Sequence, residues 1–161
     1  MNKRNSRPLL SAADIAAMAE VAHVHQFNDN AVRHTRSIGD ALGLEHMGVH
    51  LVRLEPGRDS TQYHFHHVDE EFVYILSGRG MAELGDDTCE VGPGDFMAFA
   101  RHSVPHNLKN PFDEDLVYLM GGHRSDIDVC DYPRIDRRMY RRQGQKEYVD
   151  MADLRPVKPR S

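Results

Sequence analysis

The stretch His64-Phe65-His66-His67-Val68-Asp69-Glu70-Glu71-Phe72-Val73-Tyr74-Ile75-Leu76 decides how this chain reads. On a β-strand, residues two apart share a face, so His64 and His66 project to one side while Tyr63 and Phe65 project to the other. His-x-His on a strand is a two-point clamp for a metal ion. Phe72–Leu76 is a run of strand formers apart from Leu76. A tight connection through His67–Glu70 would lay this second strand antiparallel beside the first, bringing Glu71 across from His66. Glu70 takes the place of Glu71 if the turn is one residue tighter. His67 and Asp69 read as solvated residues of the connection.

Outward from this core, short apolar runs alternate with Gly/Pro turns. Met47–Leu54 stops at Glu55-Pro56-Gly57, and Gln62–His66 alternates. Met81–Leu84, Thr88–Val91, Phe96–Phe99, His106–Leu108 and Leu116–Met120 follow, separated by Gly85-Asp86-Asp87 and Gly92-Pro93-Gly94-Asp95. Strands at this spacing predict an all-β sandwich or barrel over residues 46–121. Residues 1–45 read as an extension. Ser11-Ala12-Ala13-Asp14 is a capping box with Asp for Glu, predicting a short helix over about 11–20, and Val21–Leu44 reads as mostly irregular. Residues 122–161 turn polar and basic, with Arg134, Arg137, Arg138, Arg141 and Arg142 among Asp131, Asp136 and Glu147. They predict an arm packing on the barrel or on a partner subunit.

His106 opens a later strand and supplies a fourth ligand to the set His64, His66 and Glu71, with His102 as a nearby competitor. Three imidazoles and a carboxylate suit one divalent transition metal: Fe, Mn, Ni, Co or Zn. The lack of sulfur ligands argues against a purely structural zinc site, and four protein ligands leave positions open for water, dioxygen or substrate. Gln62 shares the face of His64 and His66 by period two and is a candidate for the substrate pocket. Arg53, the cation in an apolar strand, is a second candidate, since guanidinium suits a carboxylate.

These residues resemble the two motifs of the cupin superfamily. The first is Gly, five residues, His-x-His, three or four residues, Glu, six residues, Gly. This chain has Gly57, six residues, His64-Phe65-His66, four residues, Glu71, six residues, Gly78. The second is Gly, five residues, Pro-x-Gly, two residues, His, three residues, Asn. Here Gly94, His106 and Asn110 are present, with Ala100 and His102 in place of Pro and Gly and one residue inserted before His106. Arg36-Ser37-Ile38-Gly39-Asp40 and Asp131-Tyr132-Pro133 are similar to segments of one-domain bacterial cupins. The resemblance implies a cupin-type jelly-roll β-barrel, a double-stranded β-helix.

Bulk properties narrow the function. The chain has 161 residues, one domain by length. Its net charge of -5 argues against a general nucleic-acid binder. No apolar run approaches the roughly 20 residues that span a bilayer. The charged start is followed only by Pro8-Leu9-Leu10, too short for a signal-peptide core, which points to the cytoplasm. Cys89 and Cys130 lack metal or redox spacing and read as free thiols. Two functional classes follow. One is a small metalloenzyme acting on a carboxylate, phenol or sugar-like molecule by oxygenase or isomerase/lyase chemistry. The alternative is a non-catalytic module that binds or senses a small-molecule ligand. A metal that only stabilises the fold ranks behind both. Edge strands of such a fold need covering, which predicts a homodimer.

Overall fold

The computed structural model describes residues 7–157; the charged start, residues 1–6, lies outside the described residues. A helix α1 (Ala12–Ala17) is followed by strands β1 (Val21–His25) and β2 (Asn28–Arg36) and a short helix α2 (Ile38–Ala41). Then come β3 (Met47–Leu54), β4 (Phe65–His66), β5 (Glu71–Ser77), β6 (Gly80–Leu84), β7 (Asp87–Val91), β8 (Phe96–Phe99), β9 (His106–Lys109) and β10 (Leu116–His123). The chain ends with β11 (Ile127–Tyr132), β12 (Arg137–Arg142), β13 (Gln145–Asp150) and a single 3-10 turn.

From β3 onward, strands alternate between two layers. One layer has the order β3-β10-β5-β8. The other has β9-β6-β7, with β4 joined to β9 by the bridge between His64 and His106. This is the strand order of a double-sheet jelly roll. The hydrogen bonding does not close into a barrel: the strands form sheets of six, four and three. β4 has only two residues and meets its neighbour β9 through one bridge.

Period-two burial explains the core. Val52 and Leu54 of β3 lie directly opposite Tyr118 and Leu116 of β10, and Ile75 of β5 faces Tyr118 from the other side. All five are buried, and they pack on Ala82, Val91 and Leu108 of the second layer. Arg53, between Val52 and Leu54, therefore points outward. Gly78 ends β5 with φ of 75°, and a Cβ there would lie 2.2 Å from the Asp115 carbonyl oxygen, so the turn requires glycine.

Three expectations need correction. First, Val21–Leu44 is largely regular: β1 and β2 form a hairpin that extends the six-stranded sheet past β3. The pattern hid this because β1 is mostly exposed at the sheet edge, and β2 carries Asn28, Asn30 and Arg33 among its residues. Its asparagines bind across to the next loop, Asn28 to Asp59 and Asn30 to the Gly57 carbonyl. Second, the strand at Gln62–His66 shrinks to β4. Third, β4 and β5 are not neighbours. β4 pairs with β11, and β5 pairs with β10 and β8, so His67–Glu70 crosses between layers. Asp69 is accordingly buried rather than solvated, paired with Arg141 and accepting from Ser125 N.

The polar arm forms strands of its own. β11, β12 and β13 extend the layer of β4, and Arg134, Arg137, Arg138 and Arg141 of this segment are held in ion pairs. Arg138 grips Asp131 through two nitrogens at 2.6 and 2.7 Å, Arg137 pairs with Asp150, and Arg134 reaches Glu83. Helix α1 begins at the capping box, where Ser11 N donates to Asp14 Oδ2 at 2.8 Å and Asp14 N to Ser11 Oγ at 3.1 Å.

Leu54→Ala should cost about 2–5 kcal/mol in denaturant unfolding, because its methyl groups fill the space between layers. Leu76→Ala, on the same sheet but 45% exposed, should stay within about 0.5 kcal/mol.

Candidate metal centre

The site grows from two backbone hydrogen bonds. His64 N donates to the His106 carbonyl at 3.1 Å, and His106 N to the His64 carbonyl at 2.8 Å. This antiparallel pair sets the two imidazoles side by side, with ring centroids 4.6 Å apart. His66, two residues on, shares the face of His64. Glu71 arrives from the opposite layer at the start of β5, between Gly122 of β10 and Phe99 of β8. A Cβ on Gly122 would sit 2.7 Å from the Glu70 carbonyl oxygen and 3.1 Å from Glu71 Cγ, so glycine lets Glu71 come in. Phe99 lies flat against His106, centroids 3.5 Å apart and planes 5° apart, fixing that ring.

The four side chains converge. Glu71 Oε2 lies 3.6 Å from His64 Nε2, 3.5 Å from His66 Nε2 and 3.4 Å from His106 Nε2. The second ring nitrogens show what those Nε2 atoms carry. His64 Nδ1 lies 2.9 Å from the Gln62 carbonyl, which only accepts, so Nδ1 holds the proton. His66 Nδ1 lies 2.6 Å from Asp128 Oδ2. Burial works against charge on Asp128, but its bond to His66 outweighs this and holds its carboxyl below the usual range, so it too accepts. A neutral imidazole protonated at Nδ1 turns a bare lone pair outward at Nε2. Lone pairs gathered on a carboxylate oxygen repel unless a cation lies among them. The donor set therefore fits a divalent ion, and the backing of Nδ1 by a carbonyl or carboxylate is the arrangement that orients ligating histidines. His106 Nδ1 is buried without a partner.

Charge at the site follows from these contacts. Burial pushes the His64 imidazole below its ordinary value, with Glu71 pulling back only in part. Burial acts the same way on His66, but Asp128 and Glu71 overcome it and raise its pKa. Burial would raise Glu71, yet the close approach of His106, His64 and His66 holds it well below the usual carboxylate range. Asp128 is fully buried and also accepts from the backbone of Val68 and Asp69. Those bonds, with Arg141 on Asp69, account for the neighbouring His66, Asp69 and Asp128 without a second ion.

His64, His66, Glu71 and His106 are thus brought together. His102 is not: its ring packs on His67, which pairs with Asp131. Glu70 is exposed and offers its carbonyl to His123 N. Arg53 sits outside, bound to Glu20, Glu55 and Asp115, because its strand parity faces away from the core. Gln62 contributes its backbone carbonyl to His64, and its side chain is not part of the cavity wall: the regular strand begins only at Phe65, so period two does not reach it.

A cavity of about 400 Å³ opens onto the ligands. Its lining includes the apolar side chains of Met97, Phe99, Leu108 and Met120 and the polar ones of His25, Arg33, Tyr148 and Lys146. Sequence reasoning missed Asp128 and the residues of β1, β2 and β13. One signal was present: Asp128, Cys130 and Tyr132 alternate on one face of β11, all buried. Cys130 lies opposite His66 in the strand pair, within reach of the histidine cluster, and burial pushes its thiol up, so it is a neutral thiol.

Residues 50–122 match the family model described as the cupin domain. The chain is similar to a crystal structure from Acidithiobacillus ferrooxidans named "Putative sugar phosphate isomerase", with 46% identity and a TM-score of 0.92, covering 94% of this chain and 97% of that one. It is also similar to a sugar phosphate isomerase from a cupin superfamily from Silicibacter pomeroyi, with 26% identity and a TM-score of 0.80, over 93% and 97% of the two chains. An uncharacterised protein of Methanocaldococcus jannaschii is 32% identical over 78 residues. That match spans 48% of this chain and about half, 54%, of the archaeal protein.

Asp128→Asn should weaken metal binding about 10- to 100-fold, measured by titration against a competing chelator, with all four ligands intact. Metal affinity should also fall with pH. Protons compete for His66 first, because its pKa is raised, so the decline should begin above the ordinary imidazole value of about 6.5. In Asp128→Asn the onset should move to lower pH.

Proposed function

The chain belongs to the cupin superfamily, and we propose that it is a metal-dependent isomerase of small phosphorylated sugars. The observation that carries this reading is the convergence of three imidazole nitrogens and a carboxylate, with two of the imidazoles backed at Nδ1 by acceptors, in the wall of a cavity sized for a small molecule. The sugar phosphate isomerase names of the two full-length relatives supply the substrate class.

His64, His66, Glu71 and His106 would hold the ion. A divalent metal there supplies Lewis-acid polarisation of a carbonyl or hydroxyl oxygen. The remaining residues bind and orient. Met97, Phe99, Leu108 and Met120 keep water from the reacting carbons. Tyr132 and Tyr148 stay protonated, since burial raises both, and line the cavity as hydroxyl groups for a polyhydroxylated substrate. Burial, with His64, Arg33 and Lys146 adding to it, pushes the His25 imidazole down to about 4, which leaves it neutral and able to donate or accept a hydrogen bond. The homodimer remains part of this proposal, supported by two open sheet edges that expose Val21 and Val24 on β1 and Phe96 on β8.

Incubating the protein with aldose and ketose phosphates in deuterated water should interconvert them, with deuterium entering the carbon beside the carbonyl, read by NMR. His64→Ala and Glu71→Gln should each reduce turnover to background. Tight binding without conversion would favour the non-catalytic module, and full activity after chelation would sink the metal mechanism. Light scattering that reads a single chain at all concentrations would contradict the dimer.

A further inference from the structure

The cavity carries a positive charge that the four ligands leave unexplained. On β2, Ala31 and Thr35 are buried, and Arg33 between them shares their face and lines the cavity. A guanidinium on an inward strand face is costly unless its charge is met. Arg33 Nη1 donates to the Ser60 carbonyl at 3.1 Å, a neutral acceptor, and Nε is buried with no hydrogen-bond partner. Among the described residues, no carboxylate forms an ion pair with Arg33. Arg141, the other arginine of the cavity wall, contrasts with it: Asp69 and the Ser125 carbonyl hold it.

Lys146 adds to the imbalance. It stands opposite Arg141 on β13, is exposed at the cavity mouth, and has no carboxylate partner among the described residues. Glu71 is the one carboxylate among the cavity-lining residues, and it faces the three ligand histidines. Apart from the paired Arg141, the cavity lining therefore holds two cations, Arg33 and Lys146, that no carboxylate of the wall meets.

We propose that Arg33 and Lys146 form a subsite for the phosphate group of the ligand, Arg33 gripping it within the cavity and Lys146 closing on it from the mouth. Guanidinium presents several N–H groups in one plane and matches two phosphate oxygens side by side. Two cations suit a dianion better than a singly charged carboxylate. The subsite orients the ligand with its charged end outward and its carbonyl end toward His64, His66, Glu71 and His106. It rests on the isomerase reading only for what happens at that inner end.

Calorimetric titration of the full chain, as purified, with inorganic phosphate tests the subsite. Wild type should saturate. Arg33→Met should weaken phosphate binding about tenfold or more, Lys146→Met about two- to fivefold, and Arg33→Lys less than Arg33→Met. Acetate at equal ionic strength should bind at least about tenfold more weakly than phosphate. Thermal melts establish that Arg33→Met is folded, and Lys146→Met, an exposed change, keeps the test usable if it is not. Unchanged phosphate affinity in both methionine variants overturns the proposal. So does binding lost in His64→Ala but kept in Arg33→Met, which places phosphate on the metal. Equal affinity for acetate overturns the choice of phosphate. Arg33-dependent phosphate binding in a chain with no isomerase activity leaves the subsite standing and removes the isomerase reading.

Discussion

Two hydrogen bonds between His64 and His106 organise this protein. They are the backbone link between β4 and β9, the bridge through which the four-stranded and three-stranded sheets meet in the second layer. The same link positions half of the ligand set. A contact between two sheets and a chemical site thus share two residues, so neither histidine has freedom to drift. Glu71 then needs only to come across from the facing layer, which the interlayer crossing at His67–Glu70 and the space left by Gly122 allow.

The support for the site comes from outside the family-matched segment. Residues 50–122 contain all four ligands, yet the carboxylate that fixes the His66 ring is Asp128, on β11. The C-terminal strands are therefore part of the centre: β11 pairs with β4, supplies Asp128, and is itself anchored by the Arg138–Asp131 and Arg141–Asp69 pairs. The N-terminal hairpin plays the matching role for the cavity, contributing His25 and Arg33 to its wall. Both ends of the chain act on one pocket.

What the sequence disclosed follows from how strongly each segment obeys a simple period. Met47–Leu54 and Phe96–Phe99 appear as strands with the bounds their apolar runs suggest, and the His-x-His pair shares a face as alternation requires. The reading fails where polar residues face inward. β2 presents Arg33 to a cavity, and β11 presents Asp128 to an imidazole, so neither looks like a buried strand. It fails also at topology. Adjacent segments were expected to pair, but His67–Glu70 crosses between layers, a choice fixed by Asp69 and Asp128 contacts some sixty to seventy positions away in the chain. Arg53 shows the converse: strand parity between Val52 and Leu54 already faced it outward, and that local rule outranked its charge.

The distribution of ligands over two layers also has a kinetic meaning. His64, His66 and His106 belong to one sheet layer and Glu71 to the other, so an ion at this site is a cross-link between them. Its escape is tied to the separation of the layers at that end of the sandwich rather than to the swing of one side chain. Retention of the ion would then be governed by how readily β5, which carries Glu71, moves apart from β4 and β9, and a measured dissociation rate would report on the mechanics of the fold as directly as on the strength of its bonds.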